Sequence, residues 1–572
     1  MRAFGALFRM LAHGPGGGAG FPLFIVVAAL RLLSIPIGLY LIQWNADFFN
    51  ALQRVDASAA IHQIGVFGII TLVSAARFLA ADYLTKRLQI RWRTTLTSVL
   101  LDRWLAQHTY WRIEQVGSDT GTDNPDQRIA EDSRIFIEKL TGETLDVITA
   151  VVALFTYVPL LWALSNFPLQ VALLGIDLVI DHYMVWAAPV YVAISSGITH
   201  FLGAPLIRLS IEQQRREADF RFSLARAREY AEPIALAGGV DAERKVFDDR
   251  YAGVIGNFRR LINRELILGI FTRPYMQTVL QIPLFLALPA FLAGQVALGG
   301  LMQLRSAFQQ VVTNLSYFIF SYRDLADLAA AVRRLGLFVG DLEVDRVASA
   351  TGDERIERRI VGAREPLSWS NLMLSFPGGK RCVKVPDVKL GPGEHIWISG
   401  PSGIGKSTLI KALGGLWRRG SGVILVPEDS VIILPQRVYI PIDGPAAAAV
   451  YPSVQGFASE AVNASLRALN LEPGILVASD DLPAKGQAVR SRAAVLGTTL
   501  SGGEQQRLML ARILLAKPRV AILDEPSGAL DEASERHVFA TLQSLLPETT
   551  FVVVAHHRPP CLVFRHELHL ER

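Results

Sequence analysis

The sequence predicts two domains of different class: an α-helical membrane domain, followed by an α/β domain built around a phosphate-binding loop. The chain has 572 residues, which is more than one ordinary domain holds. Hydrophobic residues make up 51% of it and charged residues only 19%, a balance typical of proteins with membrane segments. In the C-terminal third, residues 400–408 match the P-loop pattern G-x-x-x-x-G-K-[ST] at every fixed position.

The membrane domain, residues 1–340, is expected to contain six spanning helices. Residues 1–20 are interpreted as a short cytoplasmic lead-in, because the apolar stretch that follows is too long for a signal peptide. Basic clusters follow the second, fourth and sixth spans, so the positive-inside rule places the N-terminus and the second domain in the cytoplasm. The predicted spans cover residues 21–44, 64–84, 145–164, 182–206, 266–293 and 301–322.

Polar residues interrupt the membrane pattern at two places. Arg31 lies within the first span, where it either lines a polar cavity or pairs with a carboxylate. Asp177, Asp181 and His182 fall at the outer end of the fourth span, and an interfacial cap is the favoured interpretation over a functional site. The polar residues 341–365 form the expected linker to the second domain, residues 366–572.

The P-loop lies between an apolar strand and the start of a helix, which is the context that phosphate binding requires. Its glycines let backbone N–H groups turn towards phosphate oxygens, and the helix N-terminus adds partial positive charge. Lys406 is expected to reach the β- and γ-phosphates, and the Ser407 hydroxyl to ligate Mg²⁺. The residues assigned to this phosphate site are Gly400, Ser402, Gly403, Gly405, Lys406, Ser407 and Thr408.

Further candidate residues follow in a fixed order around the P-loop. They are an aromatic side chain that could stack on adenine, a glutamine after a short strand, a glycine-rich helix start, two carboxylates after an apolar strand, a further aspartate and two histidines. In chain order these are Phe376, Gln436, Ser501, Gly502, Gly503, Asp524, Glu525, Asp531, His556 and His557.

This ordered set resembles the Walker A, Q-loop, signature, Walker B, D-loop and H-loop motifs of ABC transporter ATPase domains. The resemblance implies an exporter-type ABC fold that binds ATP and Mg²⁺. Asp524 would hold Mg²⁺, with Ser407 and Gln436 as further metal contacts, and Glu525 would act as general base. The signature residues and Asp531 would act on ATP bound to a second copy of the chain, so the resemblance implies a homodimer.

The switch histidine of this family hydrogen-bonds the γ-phosphate, and the sequence leaves two candidates for it. His556 follows Ala555 as in the broad superfamily, whereas His557 followed by Arg558 and Pro559 is similar to nearer relatives. The second pattern is slightly favoured.

Two cytoplasmic stretches carry a narrower resemblance. The first is NPDQRIAED at 124–132; the second contains EADFRF at 217–222 and REYAEPIAL at 228–236. Both look like those of bacterial fused permease–ATPases of the SbmA/BacA-like group, which is related to peroxisomal long-chain acyl-CoA transporters. In that group, short helices at these places transmit ATPase closure to the membrane domain. A solvated helical surface is the alternative interpretation.

The narrower resemblance implies a half-transporter of the bacterial inner membrane. It would move a large polar or amphiphilic solute, such as a peptide or a corrinoid-like compound, across the lipid bilayer. A fatty-acyl or lipid exporter and a non-transporting regulatory ABC protein are the alternatives. Six predicted spans argue against a soluble ABC ATPase that acts on ribosomes or DNA, and the modest net charge of +5 indicates no nucleic-acid partner.

Overall fold

The computed structural model of the protein divides into two compact units, Met1–Val344 and Asp345–Arg572. It describes residues 2–116, 124–173, 176–348, 355–362, 365–376, 382–428, 431–441, 445–452, 457–472 and 500–571. Each unit encloses hydrophobic clusters of its own, so the two are described separately.

The first unit is helical apart from one β-hairpin, which occupies the loop expected between the third and fourth spans. Long helices extend well beyond the thickness of a membrane; α4, for example, has 49 residues. The helices are α1 Arg2–His13, α2 Gly20–Leu32, α3 Ser34–Gln53, α4 Ala57–Leu105, α5 Thr109–Val116, α6 Pro125–Gln127, α7 Ser133–Leu164, α8 Tyr183–Glu229, α9 Ala231–Leu236, α10 Val240–Leu292, α11 Leu298–Phe320 and α12 Tyr322–Ala348; the hairpin is β1 Leu169–Leu173 and β2 Ile176–Ile180.

Every predicted span falls on a helix, but the spans differ in apolar character. Among the described residues, four helical stretches are long and apolar enough to cross a membrane: Gly20–Gln53, Ala57–Ile113, Pro125–Leu164 and Tyr183–Glu229. The fifth predicted span lies on α10, whose apolar part is the shorter stretch Gln281–Leu292, and the sixth lies on α11. Within the described residues, α11 is less apolar than these four stretches.

Arg31, the arginine within the first predicted span, is paired. Arg31 Nη1 lies 2.7 Å from Asp146 Oδ1 on α7, which confirms the pairing alternative for Arg31. His182 stacks on Trp162 with ring centroids 4.2 Å apart, and Asp181 is exposed. The side chain of Asp177 lies outside the described residues, so the interfacial-cap interpretation of this acidic group stays a prediction.

The expected lead-in at residues 1–20 contains a helix that the sequence analysis did not anticipate. Leu7, Met10 and Leu11 of α1 are buried in a cluster with Leu96 of α4 and Phe338 of α12. Since these positions share one face of α1, the helix is amphipathic and belongs to the core of the first unit.

The two stretches that carry the narrower resemblance both contain short exposed helices. Asp126 lies on α6 and Glu232 on α9, and both side chains are exposed. A π-helical turn, Arg128–Asp132, joins α6 to α7. Its Asp132 is 1% exposed and pairs with Arg334 of α12 at 2.6 Å, so the base of α6 is held by a buried ion pair.

The second unit contains two five-stranded sheets. In one sheet all strands are parallel, in the order β12-β7-β11-β10-β9; in the other the path is β3-β8-β4-β5 with β6 paired to β4. The elements are β3 Glu357–Val361, β4 Leu367–Ser375, β5 Cys382–Val385, β6 Val388–Leu390, β7 His395–Ser399, α13 Lys406–Leu413, β8 Gly420–Pro427, β9 Val431–Leu434, α14 Pro445–Val450, α15 Ser459–Ala468, α16 Gly502–Ala516, β10 Val520–Asp524, α17 Glu532–Leu545, β11 Thr550–Val554 and β12 Phe564–His569.

Candidate nucleotide site at the carboxyl edge of the parallel sheet

The parallel sheet brings together motifs that are far apart in the sequence. Its neighbouring strands β7, β11, β10 and β9 end, in that order, at the P-loop, the two histidines, the two carboxylates and Gln436. Parallel strands present their carboxyl ends at one edge, which is where ligands bind in open α/β sheets. Strand β10 is buried at all five positions, so its apolar sequence fixes the carboxylates at this edge.

The P-loop backbone has the shape of a phosphate cradle. Gly400 and Gly405 have φ values of +143° and +126°, a region that side-chain-bearing residues rarely adopt. Lys406 is 8% exposed, and its Nζ donates to the carbonyl oxygens of Gly400 at 2.6 Å and Pro401 at 3.3 Å. The Lys406 ammonium can exchange these neutral carbonyls for phosphate oxygens, because hydrogen bonds between oppositely charged groups are stronger than those to a neutral acceptor.

The metal-binding residues meet beside the P-loop. Asp524 is 8% exposed and shares a hydrogen bond with the Ser407 side chain. Burial raises the pKa of Asp524 above its usual value, an effect that this hydrogen bond and the charge of Lys406 oppose. A carboxylate and a hydroxyl oxygen are ligands that Mg²⁺ accepts, so these residues fit the ion that accompanies ATP. When bound, Mg²⁺ neutralises phosphate charge.

Glu525 is the centre of a polar cluster formed by three strand ends. The Gln436 Nε2 donates to Glu525 Oε2 at 2.6 Å, and His556 Nε2 lies 3.2 Å from Glu525 Oε1. The residue adopts φ +49° while its N–H donates to the Val554 carbonyl at 2.9 Å. Such a positive φ is uncommon for a residue with a side chain, and here it occurs at Glu525, directly after Asp524 at the end of β10.

The structure separates the two candidate histidines. His556 contacts Glu525, whereas His557 Nε2 lies 3.1 Å from Glu535 on α17. Glu535 is 6% exposed and is not part of the candidate cluster. This arrangement differs from the slight sequence-based preference for His557, because consecutive residues after a strand point in opposite directions.

The signature sequence begins helix α16 with a capping box. The Ser501 hydroxyl accepts from the backbone N–H of Glu504 at 3.3 Å, while the Ser501 backbone N–H donates to the Glu504 carboxylate at 2.7 Å. The backbone N–H and the hydroxyl of Ser501 both donate to the Glu504 carboxylate, which holds the pKa of Glu504 below its usual value. Ser501 and Gly502 are exposed, so the helix N-terminus offers its free N–H groups to the surroundings.

Other predicted residues have a local structural contact. Asp531 accepts from the Ser534 backbone N–H at 2.7 Å and thereby caps α17. Gln506, next to the signature, accepts from the Ala529 N–H at 2.9 Å, which joins the signature helix to the loop after β10. Phe376 packs near the P-loop, since a Cβ built on Gly405 would lie 3.4 Å from its ring.

Sequence reasoning missed two residues of this region. Trp417 lies with its ring 5.9 Å from that of Phe376 and is a second aromatic side chain beside the P-loop. Arg512 of α16 is 7% exposed and donates to the carbonyls of Ala448 at 2.5 Å and Tyr439 at 2.8 Å. The position of Arg512 eleven residues after Ser501 gives no sequence signal, because the segment it holds lies far away in the chain.

A helical membrane unit joined to a P-loop unit with these motifs defines a membrane transporter that hydrolyses ATP. Two family models match the chain: ABC transporter transmembrane region 2 over residues 15–292, and ABC transporter over residues 383–528.

Known proteins match over most of the chain. The inner membrane ABC transporter ATP-binding protein YddA of Escherichia coli is 31% identical over 545 residues, covering 93% of this chain and 91% of YddA. The human lysosomal cobalamin transporter ABCD4 is 25% identical, covering 82% of this chain and 78% of ABCD4. A bacterial Atm1-family ABC exporter solved with ATP bound has the same fold, with a TM-score of 0.70, 17% identity and coverage of 96% and 93% of the two chains.

The chain belongs to the ABC transporter family. It is a half-transporter, related to the ABCD transporters, in which hydrolysis of ATP with Mg²⁺ is coupled to transport across the inner membrane. The predicted exporter-type fold is confirmed.

Proposed function

We propose that Glu525 is the general base for ATP hydrolysis and that His556 is the switch histidine. The contacts of Glu525 support both roles, since a carboxylate held between Gln436 and His556 is oriented to polarise a water. Lys406 and the P-loop N–H groups bind phosphates, and Ser407 with Asp524 holds the metal. His557 then serves to pair with Glu535 instead of contacting nucleotide.

The active unit is a homodimer in which each ATP site is built from two chains. The observation that carries this proposal is the exposure of Ser501 and Gly502 at the N-terminus of α16. A helix N-terminus with free N–H groups is a site for an anion, and within the described residues the Ser501 side chain contacts only its own helix. The anion that we propose for this site is the γ-phosphate of ATP bound to the P-loop of a second copy.

A mixing experiment tests the composite site. Lys406→Ala disables the P-loop, and Ser501→Arg disables the signature; each variant alone is expected to be inactive. In a mixed dimer, one of the two sites combines an intact P-loop with an intact signature. Random pairing makes half of the dimers mixed, so the proposal predicts recovery of about one quarter of the parent activity per dimer. Verified mixed dimers without ATPase activity would contradict it.

The transported solute is a large polar or amphiphilic compound, such as a peptide or a corrinoid-like molecule, and the transporter is similar to the SbmA/BacA-like group. Two observations support this proposal: the resemblance at residues 124–132 and 217–222, and the similarity to a cobalamin transporter. The exposed helices α6 and α9 serve as the coupling helices that relay ATPase closure.

Transport is tested with the full chain in proteoliposomes that contain ATP and Mg²⁺ on the side of the ATPase domain. Cyanocobalamin, a ten-residue peptide and palmitoyl-CoA are compared as solutes. ATP-dependent movement of either of the first two supports the proposal. Movement of palmitoyl-CoA alone would instead identify a fatty-acyl exporter.

A further inference from the structure

Helix α11 lies at the centre of the membrane unit and has two contrasting faces. It contacts α3, α7, α8 and α10. One face is apolar and buried: Leu301, Leu304, Phe308 and Val311 are each at most 3% exposed. These residues pack in a cluster with α3, α7 and α8, so this face anchors the helix in the unit.

The opposite face carries a polar stripe. Its members recur at intervals of three or four residues, which places them on one side of an α-helix. Each is half-buried, unlike the residues of the apolar face. The polar stripe of α11 consists of Gln303, Ser306, Gln310, Asn314 and Tyr317.

Both ends of the stripe are tied to neighbouring helices. Near the outer end, Gln303 Nε2 donates to Gln43 Oε1 at 3.2 Å, and Gln43 Nε2 in turn donates to Asp47 at 3.2 Å. Near the inner end, the Tyr317 hydroxyl donates to Glu143 Oε2 at 2.8 Å. These contacts fix the orientation of the stripe relative to α3 and α7.

The middle of the stripe lacks such contacts. Asn314 Nδ2 donates only to the Gln310 backbone carbonyl at 2.7 Å, within the same helix. In the described part of the chain, the side-chain amide of Gln310 and the Asn314 Oδ1 have no hydrogen-bond partner. An unpaired amide in hydrocarbon costs several kcal/mol, so polar residues within a membrane domain face a water-filled path or a ligand.

We propose that the middle of the polar stripe binds the transported solute, and that the solute is a neutral, hydrogen-bonding compound rich in amide groups. Gln310 and Asn314 present donors and acceptors without net charge, which matches peptide or carboxamide groups. An acyl chain offers no partner for them and would leave both amides desolvated. This inference rests on the proposed transport function and narrows its solute class.

Cysteine labelling tests whether the polar stripe is accessible to water. The parent for labelling replaces Cys382 and Cys561, the free and exposed cysteines of the ATPase unit. Into it are placed Gln310→Cys, Asn314→Cys and, as control on the buried face, Val311→Cys. A membrane-impermeant maleimide should modify the first two at least about tenfold faster than the control, because thiol reactivity requires access. Equal rates at all three positions would overturn the proposal.

Ligand protection tests the solute class. Millimolar cyanocobalamin or a ten-residue peptide should slow labelling at positions 310 and 314, whereas palmitate, an acyl chain without amide groups, should not. Gln310→Leu and Asn314→Leu should each weaken binding of the protecting probe up to about tenfold, as expected for one lost hydrogen bond. Gln309→Leu, which changes the neighbouring residue outside the stripe, should leave binding of the protecting probe unchanged. Protection by palmitate alone, or by no amide-rich probe, would overturn the assignment.

These outcomes are separable from failure of the proposed transport function. Labelling and protection are measured without nucleotide, so they do not depend on the ATPase site. The ATPase activity of the control variant Gln309→Leu is measured in parallel and should match that of the parent. Parent protein without ATP-dependent transport would refute the transport proposal, while the labelling pattern would still decide whether the stripe binds amide-rich ligands.

Discussion

Replacement of Glu525 by glutamine removes the proposed base with little change of shape. The carboxylate accepts from Gln436 at 2.6 Å through one oxygen and lies 3.2 Å from His556 through the other. In Glu525→Gln the amide oxygen can still accept from Gln436, but the group no longer takes a proton. Lys406, Ser407 and Asp524 are untouched, so ATP affinity should stay at the parent value.

The expected loss follows from the role of a general base. Removing one lowers the rate about 10²–10⁴-fold, which corresponds to about 2.7–5.4 kcal/mol in activation free energy. Phosphate release by protein in lipid nanodiscs measures the rate, and equilibrium binding measures ATP affinity. Glu535→Gln is the matched control, since Glu535 contacts the other histidine. Turnover of Glu525→Gln at the parent rate, or an equal loss in the control, would refute the assignment.

Three further predictions concern coupling, stability and metal binding. Asp126→Arg and Glu232→Arg reverse exposed charges on α6 and α9 and should abolish solute stimulation but spare basal ATPase activity, measured in proteoliposomes; stimulation at the parent level would contradict the coupling role. Arg512→Lys should lower stability by about 1.5–3 kcal/mol in thermal unfolding, because the single ammonium nitrogen of lysine cannot take the places of both Nε and Nη2; an unchanged midpoint would contradict this. Because burial raises the pKa of Asp524, protons should compete with Mg²⁺ as the pH falls towards that pKa, so the Mg²⁺ concentration for half-maximal ATPase activity should rise; a constant value would contradict this.

The sequence predicted most of the ATPase unit, because its motifs are contiguous and each has a fixed geometry. Residues 400–408 lie on a strand–loop–helix segment, and Asp524 ends a buried strand as expected. Which histidine faces Glu525 could not be predicted, since it depends on the direction of one side chain at a strand end. In the structure His556 lies 3.2 Å from Glu525, whereas His557 lies 3.1 Å from Glu535.

In the membrane unit, hydropathy located the helices but not their partners. Arg31 was recognised as unusual, yet Asp146 is 115 residues away in the chain, so only the fold reveals the pair. Helix α1 was missed because its pattern is short and precedes a glycine-rich stretch. The buried role of Arg512 was missed for a related reason: its partners are backbone carbonyls, which carry no signal in the sequence.

The polarity of α11 also has a consequence for biosynthesis. A segment enters the bilayer from the translocon according to its own apolar content, and glutamine, asparagine and arginine side chains oppose entry. Since α11 falls short of that content, it is expected to be inserted together with α10 as a helical hairpin, joined through residues 293–297. Assembly of the membrane unit is then expected to depend on earlier helices being present to receive it, because the side chains proposed to bind solute are the same ones that oppose insertion.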